Sequence, residues 1–128
     1  MTQEDRLYRC AICGIVTSVL IGGNGDLSCC GEKMQQLAEQ GASEEGKEKH
    51  VPEVRIEGDS IVVQVGSTPH PMEEKHYIQL VQLLDGDRVI MGKRLRPGQQ
   101  PEVTFHNVQD PAQKRIRELC NVHGLWTT

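Results

Sequence analysis

The chain lacks a long hydrophobic run. Its longest apolar stretch, Ile15 to Ile21, is broken by Thr17 and Ser18, which excludes a membrane-spanning helix of the ~20 apolar residues a bilayer demands. The opening segment MTQEDRLY is polar and charged, without the apolar core of an export signal. Also missing is a basic excess: 14 lysines and arginines face 18 aspartates and glutamates, a formal net charge of −4. The electrostatic footprint that phosphate binding requires is therefore absent. Internal repeats and long low-complexity tracts are lacking as well. The expectation is a soluble, unexported protein with neither nucleic acid nor membrane as a partner.

Against this background stand five cysteines, an odd number, four of them grouped as Cys10, Cys13, Cys29 and Cys30. That grouping suits metal ligation and would strain a pair of disulfides. Thiols kept free for a metal fit a reducing compartment, the cytoplasm. A length of 128 residues allows one ordinary domain, or a small metal-stapled module beside one domain with an apolar core. The stronger compositional break is Glu39 to Lys49, EQGASEEGKEK, where Ala42 is the one apolar residue; residues 39–49 read as a linker or mobile loop. Residues 1–38 carry too little apolar surface, in Leu7, Ile12, Ile15, Val16, Val19, Leu20, Ile21 and Leu27, to fold unaided. A metal would have to hold them together.

Residues 50–128 turn to a β pattern. Ser60 to Val65 and His76 to Leu84 are short, β-branched and partly alternating, and Asp85-Gly86 heads a hairpin into Arg88 to Leu95. Val103 to Val108 adds a strand after the Pro97-Gly98 turn. Short strands spaced by Gly and Pro turns point to a sandwich or barrel. Asp110 to Leu119 supports two readings. Asp-Pro is a good helix start, and Ala112, Ile116 and Leu119 share a helical face, whereas Ile116, Glu118 and Cys120 alternate. Local signals lean to helix.

Cys10-x2-Cys13 sets two thiolates on one tight turn, which Gly14 lets the chain leave. Cys29 and Cys30 are adjacent. Four thiolates about 2.3 Å from a central ion satisfy tetrahedral zinc or a single iron. Neighbouring residues of an extended chain point to opposite faces, so the adjacent pair must distort its backbone to share an ion. The residues alone leave a zinc staple and a one-electron iron centre equally open.

The five histidines are His50, His70, His76, His106 and His123. Taken singly, a histidine is more often a surface or hydrogen-bonded residue than a ligand. Cys120 taken singly is a small buried apolar residue, or a thiol nucleophile with His123 as its base, although no nearby carboxylate would orient that pair. Four segments taken together carry more: Cys10-x2-Cys13-x15-Cys29-Cys30, Glu48-Lys49-His50-Val51-Pro52, His70-Pro-Met-Glu-Glu-Lys-His76 and Cys120-Asn-x-His123-Gly-x-Trp126. In combination they resemble desulfoferrodoxin, the two-iron class of superoxide reductase, over nearly the whole chain.

The resemblance implies an all-β protein: a desulforedoxin-like module over residues 1–38, then an immunoglobulin-like β-sandwich over residues 50–128. It implies two mononuclear irons per chain. Cys10, Cys13, Cys29 and Cys30 match the ligands of the first; His50, His70, His76 and His123 match the equatorial ligands of the second, and Cys120 its axial sulfur. By the same resemblance the activity is one-electron reduction of superoxide to hydrogen peroxide, with a rubredoxin-like donor and a homodimeric assembly. Glu48 matches the family carboxylate that approaches oxidised iron, and Lys49 is a cation placed to attract an anionic substrate. A strand, not a helix, should lead into Cys120, which makes residues 110–119 the stretch expected to depart most from the family. His106 has no counterpart in these motifs and reads as exposed, while Trp126 is expected to pack near the second site. Two competing readings are a non-catalytic iron electron carrier and a zinc-ribbon module with a second structural zinc.

Overall fold

Very short strands and turns make up the first part of the computed structural model, which describes residues 1–128. By its internal contacts the chain divides into two units, Met1–Ala38 and Glu39–Thr128. In the first, strand β1 (Leu7–Arg9) lies between β2 (Val16–Ser18) and, further along the chain, β5 (Gln35–Gln36), all antiparallel. A separate two-residue hairpin joins β3 (Ser28–Cys29) to β4 (Glu32–Lys33). The buried cluster is Tyr8, Cys10, Val19 and Met34, with Leu27 and Cys29 packed against it. Two of these six side chains are cysteines, so removing a shared metal would also remove part of the core.

In the second unit, β6 (Glu39–Gln40) precedes a helical turn α1 (Lys47–His50), and then come β7 (Pro52–Glu57), β8 (Ser60–Val65), β9 (Ile78–Asp85), β10 (Arg88–Arg94), β11 (Glu102–Phe105), β12 (Arg115–Cys120) and β13 (Gly124–Thr127). One sheet runs in the order β10-β9-β12-β13-β6 and the other β11-β8-β7. Inward-facing Ile61, Val63 and Val65 of β8, Val103 and Phe105 of β11, Ile78, Val81 and Leu83 of β9, and Ile116 and Cys120 of β12 share one core. This is a β-sandwich, each sheet giving its alternate residues to a common apolar layer. The register between β9 and β12 shifts between Leu119 and Cys120, which sets Cys120 opposite Ile78. Such a bulge re-aims side chains, and this one lies where β12 delivers Cys120.

Residues 110–119 correct the local lean to helix. Asp110 is left-handed at φ 49°, with no side-chain cap, and only a three-residue 3-10 turn, Pro111–Gln113, follows. From Arg115 the chain is β12, paired on one side with β9 and on the other with β13. A central strand gains two ladders of backbone hydrogen bonds, which outweigh the small helix preferences of Ala112 and Leu119. The strand that the family resemblance implies before Cys120 is present. Residues 39–49, expected to be a linker or mobile loop, are structured at both ends: β6 pairs parallel with β13, and α1 closes on backbone bonds from Lys49 to Gly46 and from Val51 to Lys47.

Candidate metal centres

Cys10, Cys13, Cys29 and Cys30 bring their sulfurs within 4.8 Å of one another. Cys13 and Cys29 hold their sulfurs 3.6 Å apart, and Cys29 and Cys30 theirs 3.9 Å apart, far beyond the ~2.05 Å of a disulfide, and all four cysteines are free. The distortion demanded by adjacency falls on Cys30, which is left-handed at φ 54°, flanked by Gly31 at φ 78°. For a residue with a Cβ that conformation costs roughly 1–2 kcal/mol, and it turns neighbouring side chains toward one point. The Cys13 N–H donates to the Cys10 sulfur at 3.4 Å. This bond leads in lowering the Cys10 thiol to about 6. The Cys13 and Cys10 thiols push Cys29 up to about 12, and Cys30 is raised as well. One thiolate forms readily while Cys29 and Cys30 hold their protons. Only a cation at the centre relieves that conflict for all four, which is what zinc or iron does.

The second group gathers His50 from α1, His70 and His76 from the segment between β8 and β9, Cys120 from the end of β12, and His123 from the turn before β13; one donor atom of each lies within 4.8 Å of the others. Hydrogen bonding sets two tautomers. His50 Nδ1 donates to the Gly46 carbonyl at 2.9 Å, and His70 Nδ1 to the Pro71 carbonyl at 2.7 Å. A carbonyl only accepts, so in both rings Nδ1 carries the proton and Nε2 carries a lone pair. Those two Nε2 atoms face each other at 3.1 Å. His76 Nε2 is buried and has no hydrogen-bond partner. Facing lone pairs beside an orphaned buried nitrogen are unfavourable unless a cation lies among them, and the donor set of neutral imidazoles and one thiolate suits iron. Burial lowers the pKa of His50, His76 and His70, the last to about 4, so these rings stay neutral, the form in which imidazole ligates.

Four features keep the group in place. The His123 N–H donates to the Cys120 sulfur at 3.4 Å, closing the turn between β12 and β13. The His123 carbonyl accepts from Trp126 Nε1 at 3.1 Å and from Gln40 Nε2 at 2.8 Å. The Trp126 ring stacks on His50, with centroids 4.7 Å apart at 15°. The segment bearing His76 is tied by Asn121, whose Oδ1 accepts from the Tyr77 N–H at 2.9 Å and whose Nδ2 donates to the Lys75 carbonyl at 3.0 Å. Burial is graded across the site. His50 and His70 are each 3% exposed and Cys120 is fully buried, whereas His76 is half-buried and His123 exposed.

Glu48 and Lys49 are exposed on α1 beside His50. The charge of Glu48 raises the His50 pKa and that of Lys49 lowers the His76 pKa, each as a minor influence beside burial. His106 is exposed, meets the Ser60 hydroxyl at 3.1 Å and belongs to neither group. Sequence reading did not single out Asn121, Gln40 or the buried Glu118, whose carboxyl oxygens have no hydrogen-bond partner and whose pKa burial raises well above the ordinary value. For Asn121 a signal existed in its place between the two donors of Cys-Asn-x-His. For Gln40 and Glu118 there was none.

The family model described as desulfoferrodoxin matches residues 42–128, and the model of the desulfoferrodoxin N-terminal domain matches residues 2–37. The chain belongs to the desulfoferrodoxin family. Among its relatives, the desulfoferrodoxin homolog of Archaeoglobus fulgidus is 43% identical over 98% of each chain. The desulfoferrodoxin of Nitratidesulfovibrio vulgaris is 44% identical over 98% of this chain and 97% of its own. The crystal structure of the superoxide reductase from Treponema pallidum superimposes with a TM-score of 0.73 at 28% identity, covering 100% of this chain and 99% of that one. The four-cysteine group and the four-histidine, one-cysteine group match the two iron sites of desulfoferrodoxin.

Proposed function

We infer that this chain is an oxidoreductase that reduces superoxide to hydrogen peroxide, the substrate taking up one electron and two protons. The observation that carries the reading is the convergence of His50, His70, His76, His123 and Cys120 on one point, buried on the His50 side and open on the His123 side. Held by these five donors, iron would supply a one-electron couple, with the thiolate donating electron density to it. The residues do the rest. The hydrogen bonds to Gly46 and Pro71 fix which nitrogen of His50 and His70 is offered. The side at exposed His123 and half-buried His76 lets solvent supply protons and lets a small anion enter.

Lys49 presents a cation at that side of a chain whose formal net charge is −4, which raises the local concentration of an anion where the overall field repels it. Glu48, on the same turn, offers a hard oxygen donor that suits oxidised iron better than reduced iron. The electron would come from a rubredoxin-like one-electron donor protein, and the family resemblance supports a homodimer. Leu20 and Ile21, 81% and 84% exposed, leave apolar surface in the first unit that fits such an assembly. Free cysteines throughout favour the cytoplasm. No helix is long and apolar enough to cross a membrane.

Stopped-flow measurement of superoxide consumption with peroxide and oxygen quantified tests the reading: a reductase forms peroxide without evolving oxygen. Lys49→Ala should slow the bimolecular step roughly three- to tenfold at low ionic strength and flatten its salt dependence. Glu48→Ala should leave that step nearly unchanged and alter the visible spectrum of the oxidised protein. An unchanged rate and salt slope in Lys49→Ala would remove Lys49 from the mechanism.

A further inference from the structure

The turn that follows β8, Gly66 to Thr68, is bonded along its length to the backbone of α1 and the residue after it. The Gly66 N–H donates to the Val51 carbonyl at 3.2 Å, and the Thr68 N–H to the Glu48 carbonyl at 2.9 Å. The Ser67 hydroxyl donates to that same Glu48 carbonyl at 3.2 Å. Gly66 is left-handed at φ +82°, and a Cβ there would lie 2.5 Å from both the Lys49 and the Thr68 carbonyl oxygens. Glycine is thus required twice, for its dihedral angle and for the closeness of α1. Immediately beyond, the His70 N–H donates to the Val65 carbonyl at 3.3 Å, so the residues that grip α1 also lead into His70.

We propose that Gly66, Ser67 and Thr68 are positioning residues that clasp α1 and so hold Glu48 and Lys49 over the open side of the histidine site. Three hydrogen bonds decide where the exposed Glu48 and Lys49 side chains start from, since α1 itself is a single turn with few bonds of its own. An isolated turn of this length does not persist in water. The Ser67 hydroxyl shares its acceptor with the Thr68 amide, so losing it loosens the clasp without emptying that carbonyl. Releasing the clasp would let Lys49 wander and weaken the steering argued above. The role of the clasp in catalysis rests on that reading; its role in ordering α1 does not.

Hydrogen–deuterium exchange of the iron-loaded protein, followed by mass spectrometry of peptides covering 46–52 and 64–70, reads the clasp directly. Gly66→Ala should speed exchange in both peptides by at least about tenfold, because a Cβ cannot be accommodated and φ is unfavourable, while peptides from β11, paired with β8, keep their protection. It should also flatten the salt dependence of superoxide consumption as Lys49→Ala does. Ser67→Ala, which adds no atom and keeps the tests valid if Gly66→Ala fails to fold, should speed exchange roughly three- to tenfold, as loss of one neutral hydrogen bond implies. Ser67→Thr should restore it. Wild-type exchange in Ser67→Ala, or faster exchange accompanied by a wild-type salt slope, overturns the proposal. Should the wild-type protein consume no superoxide, the functional reading falls while the exchange measurements still decide whether α1 is clasped.

Discussion

Asn121 is not one of the five donors, yet its side chain fixes where one of them can be. Its amide bridges the Tyr77 N–H and the Lys75 carbonyl on either side of His76, and the backbone of Glu73 and His76 exchanges two further hydrogen bonds. Cys120 and His76 are thereby tied together through a single side chain. Asn121→Ala should leave the fold intact and lower the affinity of the second site for its metal about tenfold, the lower end of what losing an outer-shell partner costs; competition with a chromophoric chelator measures this. An equal loss from the four-cysteine site would show that the effect is not local. His50 and His70 need no such tether, because each Nδ1 is already bonded to a backbone carbonyl close by in the chain.

Legibility differs most at the level of strands and turns. The donors could be named from the sequence because short-range spacing carries them: Cys10 with Cys13, Cys29 with Cys30, Cys120 with His123. β8 and β10 were visible because alternation and a Gly turn are local properties. β12 was legible only through the family resemblance, the local signals leaning to helix despite the alternation of Ile116, Glu118 and Cys120, since what makes residues 115–120 a strand is the pair of strands flanking it, β9 and β13. β6 was hidden for the same reason. It is anchored by Glu39, whose carboxylate takes both guanidinium ends of Arg115, and Arg115 also donates to the Gly86 carbonyl at 2.7 Å. Charge-assisted bidentate pairs with partial burial carry more weight than surface pairs. Glu39→Gln should therefore lower the stability of the second unit by about 1–2 kcal/mol, seen as a shifted denaturation midpoint with an unchanged slope. The Gly66 clasp lay equally out of sight, because its partners Glu48 and Val51 are distant in sequence.

The two units should respond differently to loss of metal. The first has a buried cluster of four residues, one of them Cys10, whereas the second has a continuous apolar core drawn from both sheets. Dialysis against a strong chelator should unfold residues 1–38 and leave the sandwich folded. Limited proteolysis should then release the first unit and spare residues 52–128, and cleavage at equal rates in both would contradict this. The single tryptophan of the chain, Trp126, lies flat against His50, inside the second site and nowhere near a competing indole. All indole emission from this protein consequently originates beside one imidazole of that site, so the fold carries its own optical gauge of what sits there.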